Sequence, residues 1–302
     1  MVGSAVWRIL ESKGYSNLIG KTSKELDLRN QKSVVDFYVK EQPDVVIDAA
    51  AKVGGILANN NFPYQFLMEN LQIQNNLIDG ALQTGVEKFI FLGSSCIYPK
   101  LAPQPLKEEY LLTDSLEPTN ECYAIAKITG IKACQAIRKQ FNKEYVSLMP
   151  TNLYGSFDNF DLQSSHVLPA MLRKFHEAKI DNHSDVTLWG SGTPMREFLF
   201  VDDMAEAVVY ALENSLPEYL YNIGTGKDIT IKELAETIQK TIGHQGNIIW
   251  DASKPDGTQR KLMDVSKMKA LGWRYSTELE DGIKNTYQWF LENIDTIKEI
   301  KL

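Results

Sequence analysis

Apolar residues recur along this chain in two rhythms. In residues 2–13, Val2, Ala5, Val6, Ile9 and Leu10 fall at a helical spacing. Residues 33–41 and 123–141 repeat that spacing, and residues 62–85 form a long helical stretch closed by Gly85 as a C′ residue. Between them lie short apolar runs: 44–51, 88–95 and 145–149, of the kind buried on both faces of a parallel sheet. Residues 17–20, Asn-Leu-Ile-Gly, read as a further short strand. Strand alternating with helix predicts βαβ units, hence an α/β fold with a Rossmann-type, doubly wound parallel sheet.

Such sheets take ligands at the carboxyl ends of their strands. The small and polar residues fall there, at 20–23, 51–55, 93–96 and 150–155. After about Asp158 the texture changes. Turn-dense segments at 189–194 and 253–258 separate shorter elements. We read 1–158 as a cofactor-binding domain and 159–302 as a smaller α/β substrate domain. A helix at 202–214 and a strand at 220–224 are expected to pack back on the first domain, within 200–225.

Composition narrows the function. The 302 residues are 43% hydrophobic and 24% charged, which excludes a disordered chain. With 32 Lys+Arg against 39 Asp+Glu and a net charge of −7, a basic nucleic-acid binder is excluded too. No apolar run is long enough to span a bilayer. Three cysteines, Cys96, Cys122 and Cys134, make no disulfide framework and suit a reducing cytoplasm. The four histidines show no metal spacing.

Two local patterns carry chemistry. Tyr123 and Lys127, four apart, share one helical face. An ammonium beside a phenol lowers its pKa and lets it exchange a proton with an alcohol or carbonyl. Gly93-Ser-Ser-Cys96 ends a buried strand, where a hydroxyl could bind a substrate carbonyl. A solvated helix face and a small-residue turn would look the same taken singly. Together, the two patterns place Ser94 and Tyr123 near one sheet edge.

The longer strings carry a resemblance. They are Ala49-Ala-Ala-Lys-Val-Gly-Gly-Ile56, Leu92-Gly-Ser-Ser-Cys-Ile-Tyr-Pro-Lys100 and Glu117-Pro-Thr-Asn-Glu-Cys-Tyr-Ala-Ile-Ala-Lys127. Further on come Met149-Pro-Thr-Asn-Leu-Tyr-Gly155, Trp189-Gly-Ser-Gly-Thr-Pro-Met-Arg-Glu-Phe198 and Asp251-Ala-Ser-Lys-Pro-Asp-Gly-Thr258. With them the whole chain resembles the extended short-chain dehydrogenases/reductases, and among these the GDP-sugar 3,5-epimerase-4-reductases. The resemblance implies a 4-keto-6-deoxy sugar on GDP, inverted at the two carbons flanking the keto group and then reduced by NADPH. It implies Cys96 as base and His166 as acid for the inversions, with Cys96 a thiolate helped by a cation such as the nicotinamide or Lys127. It implies Tyr123 as proton donor in the reduction, Ser94 (or, less favoured, Ser95) holding the keto oxygen, and Lys127 tuning Tyr123 and contacting the nicotinamide ribose. Leu92, Gly93, Ser94, Ser95, Lys127 and His166 would meet the NADP cofactor, with Pro150, Thr151, Asn152 and Leu153 at its nicotinamide end. Arg196 would fork onto the substrate pyrophosphate, and Lys174, Trp189 and Asp256 would contact substrate. No metal is implied. The partners implied are the GDP-sugar and a second copy of the chain, a homodimer joined through helices 62–85 and 123–141, with no nucleic acid and no membrane.

The start departs from that pattern. Members begin with a strand and Gly-x-x-Gly-x-x-Gly; here only Gly3 matches, as the third glycine. The expectation is a sheet without its first strand, in a 5′-truncated or mis-started version of a longer protein that is poorly soluble or binds NADPH far more weakly than a normal member. Lys21 is the one cation expected to meet a 2′-phosphate. A 4-epimerase, a 4,6-dehydratase and a non-catalytic NAD(P)-binding protein are the competing readings. Ser95-Cys96, where dehydratases carry Asp-Glu, speaks against the second. The intact Ser94, Tyr123 and Lys127 speak against the third.

Overall fold

The computed structural model describes residues 1–162, 164–254 and 256–297. Gln163 and, within the 251–258 string, Pro255 lie outside the described residues.

Four strands make the first sheet: β1 (Val45–Asp48), β2 (Lys88–Leu92), β3 (Glu144–Pro150) and, out of chain order, β7 (Leu220–Ile223). All pair in parallel, in the order β1-β2-β3-β7. α1 (Val2–Ser12) and α7 (Val201–Glu213) cover one face. The other face carries α2 (Gln31–Glu41), α4 (Pro63–Gln83) and α5 (Glu121–Phe141). The short α3 (Ile56–Asn61) leads into α4. Helices on both faces of a parallel sheet are the doubly wound arrangement that the alternating rhythm predicts. Gly85 does follow α4, at φ +84°.

Beyond β3 the chain builds a second layer. β4 (Asn152–Tyr154), β6 (Met195–Phe200) and β10 (Arg260–Lys261) lie side by side, with β8 (Asp228–Thr230) antiparallel to β6. β5 (Asp185–Trp189) pairs with β9 (Asn247–Asp251). α6 (Val167–Ile180), α8 (Ile231–Ile242) and α10 (Leu279–Asn293) close over a separate core. α8 begins at a capping box between Thr230 and Glu233. The small α9 (Ser266–Leu271) packs under β7.

Two expectations change. Residues 17–20 form no strand. A strand exists only with a neighbour, and β1 pairs on one side alone, with β2. Leu18 instead leans on the first core as irregular chain. The apolar run 44–51 yields only Val45–Asp48, because the backbone turns away where the sheet ends.

Candidate active site

The strand ends gather the chemistry. β2 stops at Leu92, and Gly93 follows in tight contact with β3: a Cβ there would stand 2.1 Å from Met149 Cε. A side chain there would have to displace the Met149 thioether. A 3-10 turn, Ser95–Ile97, follows, with Ser94 as its cap: the Cys96 N–H donates to Ser94 Oγ at 3.4 Å. The same serine side chain lowers the pKa of both the Cys96 thiol and the Tyr123 phenol, and so lies beside each. Ser94 thus stands between the two groups expected to act in different steps.

Tyr123 and Lys127 come from the first two turns of α5. The Tyr123 ring is braced edge-on by Phe66 of α4, centroids 6.2 Å apart. Lys127 is 3% exposed; its Nζ donates to the Leu92 carbonyl at 2.9 Å and lies 4.7 Å over the Phe91 ring. These contacts correct one expectation. Burial raises the Tyr123 pKa, the nearby Cys96 and Asp48 add to the rise, and only Ser94 opposes it. Lys127 is held by the strand end. It is itself pushed down by burial.

Cys96 is buried, and burial raises its thiol pKa. Opposing this are Ser94, then Lys261, then Lys127. Lys261, on β10, is the cation that sequence reasoning missed. It lines one pocket with Cys96, together with Ser95, Lys100, Glu117 and Arg260. Its neighbours in sequence, Arg-Lys-Leu, give no sign of the role. Only the pairing of β10 with β6, Lys261 beside Arg196, brings it to the site.

His166 caps α6, and its loop is tied to the 49–56 string where the Gly55 N–H donates to the Ser164 carbonyl at 3.4 Å. Solvent reaches the ring, yet the protein crowding it lowers the imidazole pKa, so a bound proton is given up readily. No hydrogen bond among the described residues joins His166 to the Ser94 cluster.

The other expected residues surround this centre. Thr151 Oγ1 and Asn152 Nδ2 both donate to the Glu197 carbonyl, at 3.2 and 2.8 Å, fixing the turn from Pro150 to Leu153 between the two layers. Glu197, wholly buried, accepts from the Gly226 and Met263 N–H groups at 2.7 and 2.8 Å. Arg196 is half-buried and Asp256 holds it electrostatically, while Asp256 accepts from Ser191. Trp189 is 60% exposed, with Lys174 and Lys254 over its ring at 5.8 and 5.6 Å. Lys174 also donates to the Thr187 carbonyl. Gly3 lies in the first turn of α1, 3.6 Å from Ala49 Cβ by its would-be Cβ. Lys21 is far more ordinary, an exposed lysine 4.0 Å from Glu25.

An NADP cofactor fits these residues. The first turn of α1 has no side-chain cap and no acidic residue, which leaves its N–H groups to an anion at the open strand ends. The buried Lys127 and the Pro150–Leu153 turn border the same ends. Among the described residues no group of side chains could hold a metal, and no helix is long and apolar enough to cross a membrane.

The chain is similar to known proteins. The model of the NAD dependent epimerase/dehydratase family matches residues 1–224. GDP-L-fucose synthase 1 of Arabidopsis thaliana is 55% identical, over 97% of this chain and 91% of its own. GDP-L-fucose synthase of Escherichia coli is 54% identical, over 99% and 96%. A solved GDP-L-fucose synthetase from Naegleria fowleri, bound to NADP, superposes with a TM-score of 0.90 at 30% identity, over 99% of this chain and 93% of its own.

Proposed function

The chain belongs to the NAD dependent epimerase/dehydratase family, and from that premise we propose that it converts GDP-4-keto-6-deoxy-D-mannose to GDP-L-fucose. It inverts the two carbons flanking the keto group and then reduces that group with NADPH. The observation that carries the reading is the end of β2, where the Ser94 side chain acts on both a thiol and a phenol. A simple reductase needs the phenol alone.

In the first stage Cys96 takes a proton from a carbon beside the keto group, and His166 returns one from the opposite face. The proton is acidic because the enolate left behind is resonance-stabilised. Lys261 favours the thiolate and so the abstraction. NADPH, when bound, would supply the hydride for the second stage. Ser94 holds the keto oxygen, and Tyr123, kept protonated by burial, donates to it. Arg196, Lys174, Trp189 and Asp256 receive the nucleotide end.

We read 1–158, with 200–225, as the cofactor-binding part and 159–302 as mainly the substrate part. We also read the chain as a homodimer. Leu67, Met68 and Leu71 of α4 are only half-buried, and Ile125 of α5 is 42% exposed, an apolar stripe that a second copy would cover. The three free thiols favour the reducing cytoplasm. The test of the reaction is direct: purified protein with GDP-4-keto-6-deoxy-D-mannose should consume NADPH and yield GDP-L-fucose. Intact NADPH, with the protein folded, would sink it.

A further inference from the structure

Asp48 ends β1 inside the protein, 3% exposed. Its Oδ1 accepts the Ala50 N–H at 3.0 Å. Its Oδ2 has no hydrogen-bond partner, which is rare for a buried anion. In the β1–β2 register Asp48 stands beside Phe91. The Lys127 ammonium lies over that same Phe91 ring and bonds the next carbonyl, Leu92. An acid and a base, each 3% exposed, therefore lie at adjacent strand ends on either side of Phe91, with no direct ion pair between them. Among the described residues, Asp48 also acts on Tyr38 of α2 and on Tyr123 and Cys134 of α5. Lys127 is the one cation in this set.

We propose that Asp48 is a positioning residue for the reductive step: its carboxylate is the counterion that keeps the buried Lys127 ammonium charged, and it sets the alkaline limit of the range in which Tyr123 donates. The inference rests on the reaction proposed above. Burial pushes Lys127 down, and Asp48 is the largest opposing influence. Burial raises Asp48 only to about 6, so it is ionised at neutral pH. Its negative charge also adds to the rise in Tyr123. Removing it lowers both partners, so the alkaline limb moves the same way whichever of them it reports.

Asp48→Asn keeps the shape and the Ala50 bond. The experiment measures kcat for NADPH oxidation with the GDP-keto-sugar across pH, beside thermal melting. The alkaline limb should move down by about one pH unit, with KM for the sugar and neutral-pH kcat within a few-fold of wild type. A merely structural role would lower kcat alike at every pH. Either that uniform loss or a superimposable profile overturns the proposal. A wild-type chain that leaves NADPH intact refutes the reaction reading instead. In that case, or if Asp48→Asn does not fold, carbon NMR of labelled aspartate in the wild type decides. The Asp48 carboxyl should titrate near pH 6 and move upward in Lys127→Met. An unmoved titration overturns the pairing.

Discussion

Replacing Lys261 by Met tests the electrostatics of the thiol. Met keeps most of the stem volume and removes the charge. An opposite charge within ~4–6 Å lowers an acid by roughly one to three pK units. Lys127 remains as a second cation, so the lower part of that range applies, about one to two units. Each unit costs tenfold in thiolate at a pH below the thiol pKa. Exchange at the two carbons beside the keto group should therefore fall about 10- to 100-fold near neutrality. It should recover about tenfold per pH unit on the alkaline side, where the wild type has already levelled off. The assay is proton NMR of GDP-4-keto-6-deoxy-D-mannose in deuterium oxide without NADPH, which isolates the first stage. Melting beside the wild type confirms the fold. A folded Lys261→Met protein with the wild-type rate and pH profile would falsify the role of Lys261.

Four further outcomes are expected. Tyr123→Phe keeps the packing on Phe66 but removes the donor; NADPH oxidation should fall by orders of magnitude while GDP-sugar affinity, by calorimetry, stays nearly the same. Cys96→Ser should abolish deuterium exchange; exchange at the wild-type rate would mean that another base acts. Gly130→Ala puts a Cβ 2.5 Å from the buried Phe91 ring, so despite a helix-propensity gain of about 1 kcal/mol it should destabilise the fold by up to ~2 kcal/mol, read as a lower melting temperature. Light scattering at micromolar concentration should give a dimer; a folded monomer of 34.2 kDa would contradict the α4–α5 interface.

Periodicity alone exposed most of the fold, because α1, α4, α5 and the strands of the first sheet each bury a face that its own residues announce. Residues 17–20 misled for the opposite reason: two apolar residues, Leu18 and Ile19, say nothing of whether a neighbour strand lies beside them. Tyr123 and Lys127 were visible as a helical pair, and Ser94 and Cys96 as a strand end. Their electrostatics were not. Which way Lys127 points depends on the Leu92 carbonyl, and the phenol pKa depends on burial rather than on the residue four places away. Lys261 stands on another strand in the second layer, and Asp48 hides in an apolar run where a charge reads as a mere interruption. Neither spacing nor composition encodes such meetings across elements.

The place of β7 in the first sheet has a consequence for synthesis. β3 ends at Pro150 and its outer partner starts at Leu220, 70 residues later. At roughly 5–20 residues per second the ribosome needs about 4 to 14 s to supply it. Through that interval a growing chain carries the row of N–H and C=O groups from Ser147 to Pro150 uncovered. The nascent sheet is then a template for any extended segment nearby, including one from another ribosome on the same message. Slow codons between β3 and β7 would lengthen the hazard, and a chaperone that shields this edge would act only until the second layer has been made.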